Sequence, residues 1–153
     1  MLDKRKFYIN GKWVSPSKPN DLDVINPSTE EAFATISLGS KEDTNAAVSA
    51  AKKALVTWSE SSKEERVKLL EKLLDIYKKR YSEMTEAISM EMGAPMDWSN
   101  DAQTSSGQSH LEDFIVRLKE FKFDEQFSPE SNNRICYEPI GVCGLITPWN
   151  WPI

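Results

Sequence analysis

A run of apolar residues near the C-terminal end, residues 141–146, constrains the fold more than any other feature. The run reads GVCGLI and lacks the apolar–polar alternation of a half-buried strand. Such a run is typical of a strand buried on both faces, as in the parallel sheet of an α/β protein. We therefore predict an α/β fold, with this segment as a buried strand and Cys143 as an inert buried thiol.

Two strand pairs are predicted near the N-terminus. The dipeptide Asn10-Gly11 suits the two positive φ angles of a type I′ turn, and β-prone residues flank it over residues 7–14. A second pair is expected over residues 22–25 and 32–38, with a cluster of turn residues between the two strands. These patterns predict a small β region before the helices.

Two amphipathic helices are predicted next. Ser40 and Asp43 have the spacing of a capping box, and alanines recur behind them at helical intervals up to Trp58, which is expected in the core. The second helix begins at Ser61 or Ser62, because each is followed three residues later by a glutamate. The apolar stripe of this second helix comprises Val67, Leu70, Leu73, Leu74, Tyr77 and Tyr81.

Two more helices are predicted before the apolar run. A third covers about residues 82–92 and ends at Gly93. A fourth covers about residues 96–118, although its middle, residues 103–109, is small and polar. Trp98, in this fourth helix, is expected in the core. Two β-like pieces then follow, over residues 121–123 and 134–138.

Charge and composition exclude several classes of function. The 19 Lys and Arg residues stand against 24 Asp and Glu residues, a net charge of −5 with the signs mixed along the chain. This charge distribution lacks the basic patch that binding to nucleic acid or an anionic membrane requires. No apolar run approaches the roughly 20 residues that span a bilayer. Two cysteines and one histidine predict neither a disulfide framework nor a metal site, and a reduced cytoplasm is the expected location.

The residues after the apolar run indicate a binding site. They are rich in Pro, Trp and Asn, and in open α/β sheets ligands bind beyond the carboxyl ends of the strands. Flat aromatic walls and the neutral amide of Asn150 suit a planar ring and a hydrogen-bond acceptor. The residues alone do not indicate the reaction, and the alternative is that Asn150 is only a turn residue ahead of an aromatic–Pro pair.

Residues 138–152, EPIGVCGLITPWNWP, resemble the motif E-P-I/L-G-V-x-x-x-I-x-P-W-N-F/Y/W-P of the aldehyde dehydrogenase family. The resemblance covers nearly the whole chain, although Glu30 stands where the family usually has glycine. Four further segments resemble the family in the same order along the chain: YINGKW at residues 8–13, INPSTEE at 25–31, AAVSAA at 46–51 and EMGAP at 91–95.

The resemblance implies an α/β fold, the N-terminal portion of a Rossmann-like cofactor domain with an initial β-hairpin region and about four helices. Residues 1–120 would belong to the cofactor-binding domain. Residues 121–139 would be strands of the oligomerisation arm that joins subunits. Residues 140–153 would be the first buried strand and active-site loop of the cofactor-binding domain. The implied assembly of the full-length protein is a homodimer or homotetramer.

The implied reaction is oxidation of an aldehyde to a carboxylic acid with NAD or NADP. In the family a cysteine thiolate attacks the carbonyl, hydride passes to the nicotinamide, and a glutamate-activated water hydrolyses the thioester. Asn150 matches the family's oxyanion-hole asparagine, whose amide donates to the thiohemiacetal oxygen. Trp151 matches the aromatic residue of the substrate tunnel. The positions that line the cofactor's ribose and nicotinamide match Ile146, Thr147, Pro148 and Trp149.

The family's nucleophilic cysteine, general-base glutamate and cofactor-binding lysine have no counterpart within residues 1–153. We therefore expect this chain alone to be inactive and its parent to be the enzyme. The alternative is a non-catalytic truncated remnant, or an interaction module that docks on intact subunits; the motif argues against an unrelated helical binding protein. The aldehyde, and the choice between NAD and NADP, stay open because in the family most of the deciding residues lie outside the part that residues 1–153 resemble.

Several further positions are candidates for a functional or a structural role. Val24, Ile25 and Glu91 resemble positions whose backbone oxygens hold a monovalent cation in family members, and Glu91 also marks a helix end. His110 is either a helix residue with a satisfied hydrogen bond or a substrate contact, since its helix borders the substrate tunnel in the family. Cys136 lies on a predicted arm strand and is interpreted as structural.

Overall fold

The computed structural model describes all 153 residues and contains three small sheets. One sheet has the strand order β1-β5-β4, in which β4 and β5 are antiparallel and β1 and β5 are parallel. The other two sheets are the antiparallel pairs β2–β3 and β6–β7. The strands are β1 Leu2–Asp3, β2 Phe7–Ile9, β3 Lys12–Val14, β4 Asp21–Asn26, β5 Glu31–Ser37, β6 Asp124–Gln126 and β7 Arg134–Cys136.

The helices occupy the middle of the chain. They are α1 Lys41–Trp58, α2 Lys63–Lys79, α3 Tyr81–Met92, α4 Met96–Trp98, a six-residue π-helical segment Ser99–Thr104, and α5 Ser105–Glu120. The fourth predicted helix is therefore three consecutive segments and not one regular α-helix. None of the helices combines the length and the apolar character that crossing a bilayer requires.

Both predicted strand pairs are confirmed, and each turn contains a residue with positive φ. Asn10 and Gly11 have φ of 52° and 74°, as a type I′ turn requires, and the ring centroids of Tyr8 and Trp13 lie 5.2 Å apart across the hairpin. In the second turn Glu30 has φ of 60°. This conformation costs a residue with a Cβ more than it costs glycine, which explains in physical terms why glycine is usual at this position in the resembled turn.

Local hydrogen bonds confirm the predicted helix starts. Ser40 caps α1: its hydroxyl accepts from the Asp43 backbone N–H at 3.2 Å, while its own N–H donates to the Asp43 carboxylate at 2.9 Å. The backbone N–H of Ser17 also donates to Asp43, and these donors lower the pKa of Asp43 to about 2. Of the two serines proposed to start the second helix, Ser62 is the cap. At the C-terminal end of α3, Gly93 adopts the left-handed conformation predicted for it.

The core is small and lies between α2 and α5. Only 12 of the 153 residues are buried, so most apolar side chains have no interior to enter. The prediction that Trp58 and Trp98 lie in the core is wrong, because 47% and 54% of their surfaces are exposed. The main packing partner of α1 within the chain is the short strand β2, which explains the exposure of Trp58. The core cluster consists of Val67, Ile115 and Leu118, with Leu70, Leu74 and Phe123 packed against it.

The predicted buried strand over residues 141–146 is not formed in this structure. The segment has no hydrogen-bonded neighbour strand, and Leu145 and Ile146 are 87% and 100% exposed. Cys143, predicted to be buried, is exposed as well. A strand is held by the backbone groups of its neighbours, and β6 and β7, the strands nearest in sequence, pair with each other. The β-like piece predicted at residues 121–123 is shifted, because the strand there is Asp124–Gln126.

Candidate functional site

The residues that the motif assigns to a site, Ile146 to Trp151, lie in one continuous segment, residues 146–153, which we name the Asn150 loop. Ile146 to Pro148 belong to no helix or strand, Trp149 and Asn150 form a turn, and Trp151 follows in a bend. Trp149 is 83% exposed and Trp151 42% exposed, and Asn150 is also exposed. The two aromatic side chains and the neutral amide are therefore all accessible to solvent.

The Asn150 loop rests on the π-helical segment and on α5 at two points. The side-chain amide of Gln103 donates to the backbone carbonyl of Asn150 at 3.5 Å, and Gln103 is only 4% exposed. Ile153 packs against Gly107, where an added Cβ would overlap Ile153 Cγ2 and lie 2.5 Å from the hydroxyl of Tyr77. The loop is thus held close to the helix because position 107 has no side chain.

A layer of buried polar groups lies within the helices at these contacts. Ser99 and Thr104 are completely buried, and the Thr104 hydroxyl donates to the Ser99 carbonyl at 2.8 Å. The hydroxyls of Thr104 and Thr85 are 3.0 Å apart. The Tyr77 hydroxyl donates to the Thr104 carbonyl at 2.8 Å. Partial burial, with a smaller contribution from Tyr81, raises the pKa of Tyr77, so the phenol stays a neutral donor.

The π-helical geometry explains how three polar residues share one buried face. In a regular α-helix residues three and four apart are neighbours, while the residue five apart turns away. The wider π turn, with its i→i+5 hydrogen bonds, keeps Ser99, Gln103 and Thr104 on the same side. The only sequence signals were the polar stretch after position 103 and Gly107 within a helical pattern. Sequence analysis consequently missed Gln103, Gly107 and Tyr77 as parts of the site.

The two cysteines and the histidine lie apart from this layer. Cys136 is exposed on β7, and its sulfur lies 3.5 Å from an Asp124 carboxylate oxygen, which raises the pKa of the thiol. A raised pKa favours the protonated thiol over the nucleophilic thiolate. Cys143 is exposed in the segment before the loop, and His110 is exposed on α5.

The residues proposed to surround a monovalent cation lie on neighbouring elements. Val24 and Ile25 are on β4, at a register shift in its pairing with β5, and Glu91 is in the last turn of α3. Helix α3 packs against β4, so the three positions are in the same part of the molecule. Cation binding there stays a prediction.

Replacing Gly107 with alanine is expected to destabilise the 153-residue chain. Alanine gains about 1 kcal/mol over glycine in a helix, but forcing a methyl group into occupied space typically costs about 1–3 kcal/mol. Because the new Cβ would overlap both Ile153 and Tyr77, we expect the second effect to win. Urea unfolding followed by tryptophan fluorescence measures the change.

The matched control is Gly144→Ala, since an added Cβ there has no heavy atom within 4 Å. A second variant, Gly107→Ala combined with Ile153→Ala, should recover part of the loss because it removes one of the overlapping groups. Equal unfolding midpoints for Gly107→Ala and the parent would contradict the proposed close packing of the loop on α5.

Comparison with known proteins places the chain in a family. The model of the aldehyde dehydrogenase family matches residues 13–153. Over its whole length the chain is 41% identical to a 3-succinoylsemialdehyde-pyridine dehydrogenase from a Pseudomonas species, of which it covers 32%. It is 42% identical to a putative aldehyde dehydrogenase from Staphylococcus epidermidis, with 99% of this chain and 31% of that protein covered. The chain thus spans about a third of the length of these relatives.

Solved structures agree in fold. A crystal structure of an aldehyde dehydrogenase from Bartonella henselae matches 86% of this chain and 28% of its own, with a TM-score of 0.84 and 55% identity. A structure of aldehyde dehydrogenase C from Pseudomonas syringae, in complex with NAD+ and octanal, matches 97% of this chain and 30% of its own, with a TM-score of 0.92 and 38% identity. The resemblance drawn from the sequence motifs is confirmed, and the chain belongs to the aldehyde dehydrogenase family.

Proposed function

We propose that this chain is the N-terminal portion of an NAD(P)-dependent aldehyde dehydrogenase that oxidises an aldehyde to a carboxylic acid. We use the term full-length enzyme for the proposed protein in which residues 1–153 are joined to the remaining portion that the relatives contain. The observation that carries the proposal is Asn150: in a chain of this family, its neutral amide is exposed on a loop supported by buried helix residues.

Asn150 supplies the hydrogen bond that stabilises the reacting oxygen. When a nucleophile adds to an aldehyde, the carbonyl oxygen gains nearly a full negative charge. A neutral amide can donate to that oxygen without losing a proton, and a rigid support removes the need to reorganise during the reaction. Gln103 provides such a support at Asn150 itself, and the Ile153–Gly107 contact provides one three residues further on.

The residues before Asn150 have the chemistry that a nicotinamide cofactor requires. Ile146, Thr147, Pro148 and Trp149 carry no charge, and they present exposed apolar and aromatic surface on which a ribose and a planar ring can lie. The cofactor supplies the hydride acceptor of the reaction. NAD is the first choice because the Pseudomonas syringae relative was solved in complex with NAD+, and NADP is the alternative. Trp151 would face the aldehyde.

The assembly of the full-length enzyme is proposed from the predicted arm. The pair β6–β7 lies within residues 121–139, next to Phe123, which packs against the core, and Asp124, Gln126, Arg134 and Cys136 are exposed. We expect this pair to contribute to a homodimer or homotetramer. The net charge of −5 favours neither nucleic acid nor an anionic membrane as a partner. The cytoplasmic location stays a prediction.

One observation favours the alternative, a non-catalytic module that docks on intact subunits. Ile140, Leu145 and Ile146 are 94%, 87% and 100% exposed in a segment with free backbone edges. Such an edge is a template for pairing with another strand. A module of this kind would bind a separate subunit without contributing to turnover.

The test is the activity of the full-length enzyme with octanal and NAD+, with NADP+ measured in parallel. We expect aldehyde-dependent formation of NADH and an equal amount of carboxylic acid. The control reaction omits the aldehyde. A folded protein that binds NAD+ but forms no NADH with octanal or with short aliphatic and aromatic aldehydes would contradict the proposal and favour the docking module.

A further inference from the structure

We propose that Gln103 is a positioning residue for Asn150, and that its buried amide sets the direction in which the Asn150 side chain points. The inference rests on the proposed function, because it matters for turnover only if Asn150 donates to the reacting oxygen. It adds a residue outside the 138–152 motif, on a different element of the fold. Gln103 lies 47 positions before Asn150 along the chain and meets it only through tertiary structure.

The first step is that packing alone does not explain a glutamine at this position. Gln103 is 4% exposed, and its side-chain oxygen is buried without a hydrogen-bond partner. A buried polar atom without a partner is unfavourable, whereas an apolar side chain of similar length would avoid that cost. The one polar contact of this side chain is the hydrogen bond from Nε2 to the Asn150 carbonyl, at 3.5 Å. We therefore assign the amide its role through that contact.

The second step is that the Asn150 carbonyl is a sensitive point of the loop. Pro148 and Pro152 fix their own φ angles and restrict the residues that precede them. The backbone between the two prolines is consequently stiff on both sides. The peptide plane that joins Asn150 to Trp151 carries the carbonyl that Gln103 holds. Holding that plane limits the ψ angle of Asn150, and so the orientation of its Cα–Cβ bond.

The third step is that Gln103 itself has a rigid base. It lies in the π-helical segment between two completely buried residues, Ser99 and Thr104, whose hydrogen bond closes the segment at 2.8 Å. Thr104 is also held by the hydroxyls of Tyr77 and Thr85. The backbone that carries Gln103 is therefore held through its neighbours Ser99 and Thr104, which gives the side chain a fixed base from which to hold the loop. Precise placement of a donor is what lets it favour the transition state.

The test is a double-mutant cycle in the full-length enzyme with octanal and NAD+. Gln103→Met keeps the length of the side chain but removes the donor. We expect it to lower kcat roughly 10-fold while the Kd for NAD+ changes little, since a misplaced donor weakens mainly the chemical step. In an Asn150→Ala background the same change should alter kcat by less than about two-fold, because residues that act through one another are not additive.

Two further variants separate positioning from stability. Gln108→Met is the matched control: this glutamine is on α5, but its amide donates to Glu112 and not to the loop, so kcat should stay at the parent value. Gln103→Glu retains the shape and regains a donor only when the carboxyl is protonated. Its kcat relative to the parent should therefore rise as pH falls, which a purely structural defect does not predict.

The outcomes distinguish this inference from the proposed function. If Asn150→Ala alone leaves kcat unchanged, the oxyanion role of Asn150 is wrong, and the proposed site is wrong with it. If Asn150→Ala lowers kcat but Gln103→Met lowers it by the same factor in both backgrounds, only the positioning role is overturned. A folded Gln103→Met enzyme with the parent kcat, or a Gln103→Glu enzyme without pH-dependent recovery, would overturn it as well.

Discussion

Replacing Asn150 with alanine in the full-length enzyme is expected to lower kcat by roughly 10²–10³-fold, or about 3–4 kcal/mol of transition-state stabilisation. The physical reason is the charge that develops on the aldehyde oxygen as its carbon is attacked. The ground-state oxygen is nearly neutral and gains less from the same amide, so the loss should appear in kcat more than in binding. NAD+ affinity should change far less, because Asn150 is not among the residues proposed to line the cofactor.

Asn150→Asp should be at least as harmful, since it places a carboxylate against the developing negative charge. The measurements are steady-state and burst kinetics with octanal, together with a separate titration of NAD+ binding. Asn45→Ala is the control, because Asn45 is an exposed asparagine on α1, far along the chain from the loop. If hydride transfer limits turnover and the kcat of Asn150→Ala stays within a few-fold of the parent, Asn150 is only a turn residue.

The second large effect is expected for the 153-residue chain by itself, which should show no aldehyde-dependent reduction of NAD+. The proposed reaction needs a cysteine thiolate close to the oxyanion donor and a base to activate water. Cys136 and Cys143 are the only two thiols, and Asp124 raises the pKa of Cys136, so its thiolate is disfavoured. Cys143 is exposed, and its thiol donates a hydrogen bond to the Gly141 carbonyl, with 3.8 Å between sulfur and oxygen.

The measurement is the absorbance of reduced nicotinamide with octanal, at a protein concentration high enough to detect a rate far below that of the full-length enzyme. Circular dichroism of the same sample establishes whether its helices are formed. A Cys136→Ala, Cys143→Ala double variant provides the background rate. Activity above that background would mean that one of these thiols reacts, and the assignment of the nucleophile to another part of the enzyme would be wrong.

The local elements were predictable because short-range interactions decide them. Asn10-Gly11 favours a type I′ turn through its own tolerance of positive φ, and Ser40 with Asp43 closes its own capping box. Gly93 ends α3 because it adopts the left-handed conformation at low cost. The motif that contains the Asn150 loop could also be identified from the sequence, because its residues are consecutive and no tertiary contact is needed to bring them together.

Tertiary structure decided what depends on partners distant in the sequence. Residues 141–146 have the composition of a doubly buried strand, but a strand forms only when neighbouring backbones accept and donate its hydrogen bonds, and this chain offers none to it. In the sequence, Gln103 and Gly107 indicate only an irregular middle of a helix. In the structure, the Asn150 loop packs on both of them. Their role comes from a π turn and a close approach between segments more than 40 positions apart, which periodicity within one helix cannot encode.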